Sequence, residues 1–397
     1  MIDFSQTKSQ FHLPEGVIYL DGNSLGPMPK TAVDRAREVM AGEWAELLIR
    51  GWNKADWFNL PGKVGRRIEP LIGAAPGTVM TGDTLSIKVF QAVSAALQMR
   101  PDRKVVLSDT GNFPTDLYMA NGLLDRLGPE YELRVVAPEQ VADAIDKDVA
   151  AVMLTHVDYR TGRMHDMMDL TKRSHDAGAV SIWDLAHSAG ALPVDMEACG
   201  AEFATGCTYK YLNGGPGAPA FIYARPDIAD SIEPILAGWM GHAAPFDFDL
   251  DYRPQIGIER MRVGTPPIIQ LAILDEALRV WEGLDLQALR ERSVALCEQF
   301  IEGIEARCPQ LDLISPRSAD KRGSQVAFAF EHGFAAMQAL AARGVIGDFR
   351  APDVMRFGFT PLYIDSDDVA QAIDVIADVV TTKAYSAPEF QVRGSVT

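Results

Sequence analysis

Between residues 78 and 224 the chain alternates short apolar, β-branched runs with longer stretches in which apolar positions recur every three or four residues. The short runs predict strands at Thr78–Thr81, Lys104–Leu107, Leu133–Val136, Ala150–Thr155, Val180–Asp184, Phe203–Cys207 and Ala220–Tyr223. The stretches between them, Leu85–Met99, Asp116–Leu127, Pro138–Ile145 and Asp169–Ala177, predict helices. Strands that alternate with helices imply βαβ units, and so an α/β fold built on a mostly parallel seven-stranded sheet with helices on both faces.

The pattern changes after the turn at Gly264–Pro267. Two long helical stretches, about 268–282 and 285–306, precede a strand at Gln325–Phe330, an Ala-rich helix and a strand at Val354–Phe359. These predict a smaller α+β C-terminal domain over residues 267–397, with the large domain at 51–266. The amphipathic stretch Lys30–Arg50 predicts a helix that packs on the small domain or across a subunit boundary, within an N-terminal segment of residues 1–50.

Charge narrows the partners. A net charge of −17 and a sequence pI near 4.8 repel nucleic acid and anionic membrane surfaces at long range, so neither is an expected partner. The four cysteines form no CxxC pair and the seven histidines form neither HxxxH nor HExxH, so no metal site is expected. The first residues lack a charged and apolar leader pattern, and no apolar run reaches eighteen residues; a soluble, cytoplasmic protein is expected.

Five segments could carry chemistry. Asp184 closes an apolar strand, where open α/β sheets place their ligands; it could keep a pyridine nitrogen protonated or merely cap a next helix at Ser188–Pro193. Lys210 lies 26 residues on (210 − 184), between Tyr209 and Tyr211 and ahead of a glycine-rich turn. A lysine there can form an imine and return as a base, although loop lysines usually face solvent. The turn Met80-Thr81-Gly82-Asp83-Thr84 leads into a helix whose first N–H groups could cradle phosphate, with hydroxyl donors from Thr81 and Thr84, or could be an ordinary helix start. Phe113, before Pro114, Thr115 and Asp116, could stack on a flat cofactor or staple the helix start. Arg356, inside an apolar run, needs an anion: a substrate carboxylate, or Asp348 or Asp353 as a structural partner.

Together these segments resemble the kynureninases, a branch of the class V, fold-type-I pyridoxal-phosphate enzymes, over nearly the whole chain. The most specific stretches are Tyr19-Leu-Asp-Gly-Asn-Ser-Leu-Gly26, Gly238-Trp-Met-Gly-His242 and the placing of Tyr209 directly before Lys210. The resemblance extends through Asn112–Asp116, Thr155–Gly162, Trp183–His187, Thr208–Gly217 and Pro361–Tyr363.

The resemblance implies a fold-type-I transferase-like architecture and hydrolysis of L-kynurenine to anthranilate and L-alanine with pyridoxal 5'-phosphate. By it, Lys210 holds the cofactor and moves the α-proton, Asp184 pairs with the pyridine nitrogen and Phe113 stacks on the ring. Thr81, the backbone at Met80 and Tyr209 would bind phosphate; Pro114, Thr115, Asp116, Thr155 and His187 complete the shell. Tyr209 is also the expected proton carrier, on condition that phosphate and nearby cations lower its pKa from ~10. Arg356 takes the substrate carboxylate. Trp239 and Thr265 would come from a neighbouring subunit, making the enzyme a homodimer. Vertebrate-type members of the family it resembles carry His at the place of Trp52 and Ser-Asn at Gly264-Thr265, which implies that this chain prefers L-kynurenine to 3-hydroxykynurenine. Two rivals keep the fold: a cysteine desulfurase or selenocysteine lyase, usually with His before the lysine, and a non-catalytic pyridoxal-phosphate-binding protein.

Overall fold

A computed structural model describes residues 4–392; the ends of the expected first and last segments, residues 1–3 and 393–397, lie outside it. The large sheet has seven strands, in the spatial order Val79–Thr81, Phe221–Ala224, Phe203–Gly206, Val180–Asp184, Val149–Thr155, Val105–Asp109 and Glu132–Val136. Five neighbouring strands are parallel; Phe221–Ala224 runs against both of its neighbours. Six of the seven are buried throughout, which is why they read as continuous apolar runs without the alternation of a one-faced sheet. Only the edge strand Glu132–Val136 is partly exposed, and it carries charges that discourage further strand pairing.

The helices Leu85–Met99 and Pro114–Leu127 follow two of these strands and pack together on the sheet. The expected helix at Pro138–Ile145 is shorter, a 3-10 turn at Pro138–Gln140 followed by Val141–Ala144.

The C-terminal part has a four-stranded antiparallel sheet ordered Asp348–Arg350, Val354–Gly358, Gln325–Ala329 and Asp312–Leu313, backed by the mutually packed helices Leu286–Arg307 and Ser366–Thr381. A short parallel pairing of Ile18–Tyr19 with Val345–Ile346 ties the N-terminal segment to this unit and delivers residues 21–26 to its edge.

The stretch Lys30–Arg50 departs from expectation. It is an α-helix only over Ala32–Arg37, widens to a π-helix over Glu38–Leu47 and ends in a 3-10 turn at Leu48–Arg50. Glu43 accepts bonds from the Trp57 indole at 2.7 Å and from Arg35 at 2.6 Å, and Gly42 beside it has low helix propensity. These ties hold an irregular wide turn that periodicity alone does not reveal. The segment packs on helix Ile268–Ala277 and leaves Val33, Met40, Trp44, Leu48 and Ile49 exposed. Among the described residues no helix is long and apolar enough to cross a membrane, and no cluster of metal-ligating side chains is present.

Candidate active site

Because the strands run largely in parallel, Thr81, Asp109, Thr155, Asp184 and Gly206 end at one edge of the sheet. The loops that leave this edge carry most of the candidate residues, as expected for open α/β sheets. Asp184 sits directly opposite Thr155 in the register, buried, and its Oδ1 accepts the Ala186 N–H at 2.9 Å. No helix follows for Asp184 to cap: residues 186–191 form turns, and the carboxylate caps only this one N–H. Burial pushes Asp184 up to about 6, against the opposing pull of Lys210, the Ala186 N–H and Thr155. Asp116, in the first turn of helix Pro114–Leu127, is driven well above the usual carboxylate range, first by burial and then by Asp184.

Lys210 projects into this group. Its Nζ lies 3.2 Å from His187 Nε2, 5.9 Å from the centre of the Phe113 ring and 5.8 Å from that of Tyr209. Burial, then Lys210 and Arg356, hold His187 well below its ordinary pKa, so the ring is neutral. Its Nε2 either accepts from Lys210 or donates to the Asn23 carbonyl at 3.1 Å, according to the tautomer. Gly26 lets the N-terminal loop press on the lysine segment: its N–H donates to the Tyr209 carbonyl at 2.8 Å, and a Cβ there would lie 2.3 Å from the Lys210 carbonyl.

Phe113 is 40 % exposed, touches Tyr159 edge-on at 5.2 Å and precedes Pro114 and Thr115 at the helix start. A stapled ring would be covered by its own helix; this one presents surface toward the Lys210 side of the cleft. Asn112 braces the loop, accepting from the Phe113 N–H at 2.7 Å and donating to Ser108 Oγ at 3.1 Å.

The Thr81 hydroxyl donates to the Pro61 carbonyl at 2.7 Å, and Met80 is a buried strand residue opposite Ile222. The cradle is the start of helix Leu85–Met99 with Thr84 before it. Burial, then Cys207, Asp184 and Asp116, raise the pKa of Tyr209 in the chain alone, which makes the phenol a standing hydrogen-bond donor.

Arg356 is buried and pairs with Asp348, one of the two structural partners considered from sequence. Nε donates to Asp348 Oδ1 at 2.6 Å, Nη2 bonds Oδ2 and also Ser24 Oγ at 3.0 Å, and Nη1 bonds the Tyr159 carbonyl. The roles of Ser24 and Tyr159 in framing this guanidinium are absent from the sequence reading, because they come from two distant segments. Trp52 stands edge-on to Trp57 at 5.9 Å, within an aromatic patch. Trp239, Gly264 and Thr265 are exposed on the protomer, with Trp239 edge-on to Phe246 at 5.9 Å.

Several buried polar atoms in this region have no hydrogen-bond partner among the described residues: Asp116 Oδ2, Thr205 Oγ1, and both side-chain polar atoms of Asn23. Native interiors seldom leave such atoms unpaired. Their grouping around an amine, two protonatable carboxylates and an open aromatic face fits a polar, flat, anionic cofactor.

The fold is that of class V, fold-type-I pyridoxal-phosphate enzymes. A cysteine desulfurase from Thermococcus onnurineus NA1 superposes with a TM-score of 0.81 over 96 % of this chain and 99 % of that one, at 20 % identity. A cysteine desulfurase from Escherichia coli gives 0.80 over 96 % and 99 %, at 18 % identity. Within that fold class the family is specific. The kynureninase of Pseudomonas fluorescens is 50 % identical, covering 98 % of this chain and 95 % of that protein, and the kynureninase of Burkholderia pseudomallei strain 1106a is 49 % identical over the same shares. Residues 289–376 match the kynureninase C-terminal domain. The chain belongs to the kynureninase family.

Proposed function

We propose that this chain hydrolyses L-kynurenine to anthranilate and L-alanine with pyridoxal 5'-phosphate. The observation that carries the reading is the convergence of Lys210, Asp184, Asp116 and the open face of Phe113 at one sheet edge in a member of this family. When bound, the cofactor supplies an aldehyde for the substrate amine and an electron-withdrawing ring. Asp184 would face the ring nitrogen, Phe113 its flat side, and the start of helix Leu85–Met99 its phosphate, with Pro114, Thr115, Asp116, Thr155 and His187 around it.

The chain's own groups then divide the work. Lys210 anchors the cofactor and, once released, takes the proton from the substrate α-carbon. Tyr209, a phenol held in its neutral form, gives a hydrogen bond or proton to oxygen as water adds to the γ-carbonyl and the Cβ–Cγ bond breaks. Arg356, braced by Asp348, receives the substrate carboxylate. An indole at Trp52 and the shorter hydroxyl side chain of Thr265 after Gly264, in place of the longer polar groups of vertebrate-type members, favour L-kynurenine over 3-hydroxykynurenine.

We read the assembly as a homodimer in which Trp239 and Thr265 serve the neighbouring site. The exposed apolar strip from Val33 to Ile49, together with Trp239, Phe246, Phe248 and Leu250, supports it. The division at residues 50 and 266 and a cytoplasmic location are kept as parts of this reading; four free, buried cysteines suit a reducing compartment. The same burial counts against the desulfurase alternative, which needs an accessible thiol to accept sulfur. The test is to mix cofactor-loaded protein with L-kynurenine and follow anthranilate fluorescence. Silence with kynurenine together with sulfide release from cysteine would overturn the proposal.

A further inference from the structure

The surroundings of Arg356 hold more ionised groups than one ion pair requires. The hairpin register sets Asp348 directly opposite Arg356, and Arg350 reaches the same carboxylate, with Nη2 2.8 Å from Oδ2. Ser24 Oγ bonds both Asp348 and Arg356. Asp21 stands on the same turn as Ser24, its carbonyl accepting the Ser24 N–H at 2.9 Å, with its side-chain Oδ1 buried and unpartnered among the described residues. Two carboxylates and two guanidiniums sum to zero before any ligand arrives, so an incoming carboxylate would leave one negative charge in excess.

We propose that Asp21 is a positioning residue that keeps this charge balance: Asp348 fixes the Arg356 guanidinium, and Asp21 takes a proton from solvent when a substrate carboxylate binds. The inference rests on the reading of Arg356 as the carboxylate site. Burial, then the Asp348 carboxylate, raise Asp21 to about 7, against Ser24, Arg356 and Arg350. Asp348 itself stays low despite its burial, because Arg356 and Arg350 hold it there. The other titratable groups facing Asp21 are Tyr19 on its own segment, Tyr211 beside Lys210 and Tyr363 from the C-terminal unit. Burial raises all three, so they remain neutral near pH 7 and do not compete for the proton.

The sign follows directly. Below about pH 7 Asp21 is neutral and the cluster carries one positive charge, matched to a carboxylate. Above it the cluster is neutral and carboxylate binding requires proton capture, so affinity falls as pH rises.

The probe is 3-benzoylpropanoate, an aryl keto acid without an amine, whose single carboxylate stays ionised throughout. Its inhibition constant is measured from pH 6 to 8.5 on cofactor-loaded wild type, Asp21→Asn and Arg356→Gln, with the neutral primary amide as control. The wild-type constant should rise about threefold to tenfold across this range, and Asp21→Asn should bind the acid with a pH slope flatter by that amount. The amide should show no such difference between the two proteins. Calorimetry of wild type at pH 7 in two buffers of different ionisation enthalpy should record proton uptake on binding the acid. An unchanged slope in Asp21→Asn, or no uptake by wild type, overturns the proposal, and the uptake decides alone if the variant does not fold. If Arg356→Gln binds the acid as tightly as wild type, the carboxylate reading of Arg356 fails instead.

Discussion

The Lys210 centre and the Arg356 cluster are both buried and polar, yet they are built in opposite ways. Around Lys210, Asp116, Thr205 and Asn23 leave polar atoms without partners among the described residues, and two carboxylates are pushed toward their neutral forms by burial. Around Arg356, the guanidinium is already bonded to Asp348, Ser24 and Tyr159 before any ligand is considered. The first arrangement is incomplete and gains by taking in a cofactor. The second has its guanidinium fully bonded, with only Asp21 Oδ1 left unpartnered among the described residues, and must adjust its charge to accept another anion. A buried ion pair of the second kind contributes little net stability but fixes a direction, which suits recognition.

The comparison can be broken most severely at the lysine. Lys210→Ala should lower turnover by at least about ten-thousandfold and abolish the visible band of the cofactor-bound protein. An active variant that keeps the band would place the imine elsewhere.

Asp184→Asn should lower kcat by roughly a thousandfold while leaving the substrate KM within a few-fold, because its partner is the cofactor. It also tests the burial strain. In protein stripped of cofactor, the native Asp184 binds its proton more tightly than the unfolded chain does, since its value is about 6 against 3.8. That contribution to stability is full below about pH 4 and is lost as pH rises through 6. The stripped Asn variant should therefore gain on wild type over that window, by roughly 3 kcal/mol at the upper end. Denaturant melts at pH 4.5 and 7.5 that differ equally for the two proteins would contradict it.

Arg356→Gln should act on recognition, raising KM about a hundredfold with a smaller change in kcat. A pure kcat defect would mean that the guanidinium is a scaffold for the Tyr159 turn and touches no substrate. The smallest effect belongs to the half-buried Trp52 and the exposed Thr265. Thr265→Asn with Trp52→His should move the ratio of kcat/KM for 3-hydroxykynurenine over kynurenine upward by about tenfold, as one new hydrogen bond in a pocket allows. An unmoved ratio would remove these two side chains from substrate contact.

Much of this was legible along the chain. The strands Val180–Asp184, Val149–Thr155 and Phe203–Gly206 stand out because a sheet covered on both faces demands unbroken apolar runs, and Asp184 and Lys210 follow as polar residues where such runs stop. The resemblance then supplied roles that no spacing could. The irregular turn at Glu38–Leu47 was not legible, since it depends on the side chain of Trp57 reaching Glu43. Nor was the state of Thr81, whose hydrogen is claimed by the carbonyl of Pro61, twenty residues away.

The sequence by itself determined the order of strands and helices, the sheet's mostly parallel character and the candidates Asp184, Lys210 and Arg356, because periodicity and the ends of apolar runs are local properties. Only the tertiary structure decided which anion holds Arg356, that Ser24 and Asp21 stand beside it, and that Tyr209 is held as a neutral donor. Those are matters of distance and desolvation, and both are set by segments far apart in the chain that the parallel pairing of Ile18–Tyr19 with Val345–Ile346 and the hairpin at Asp348–Gly358 bring together.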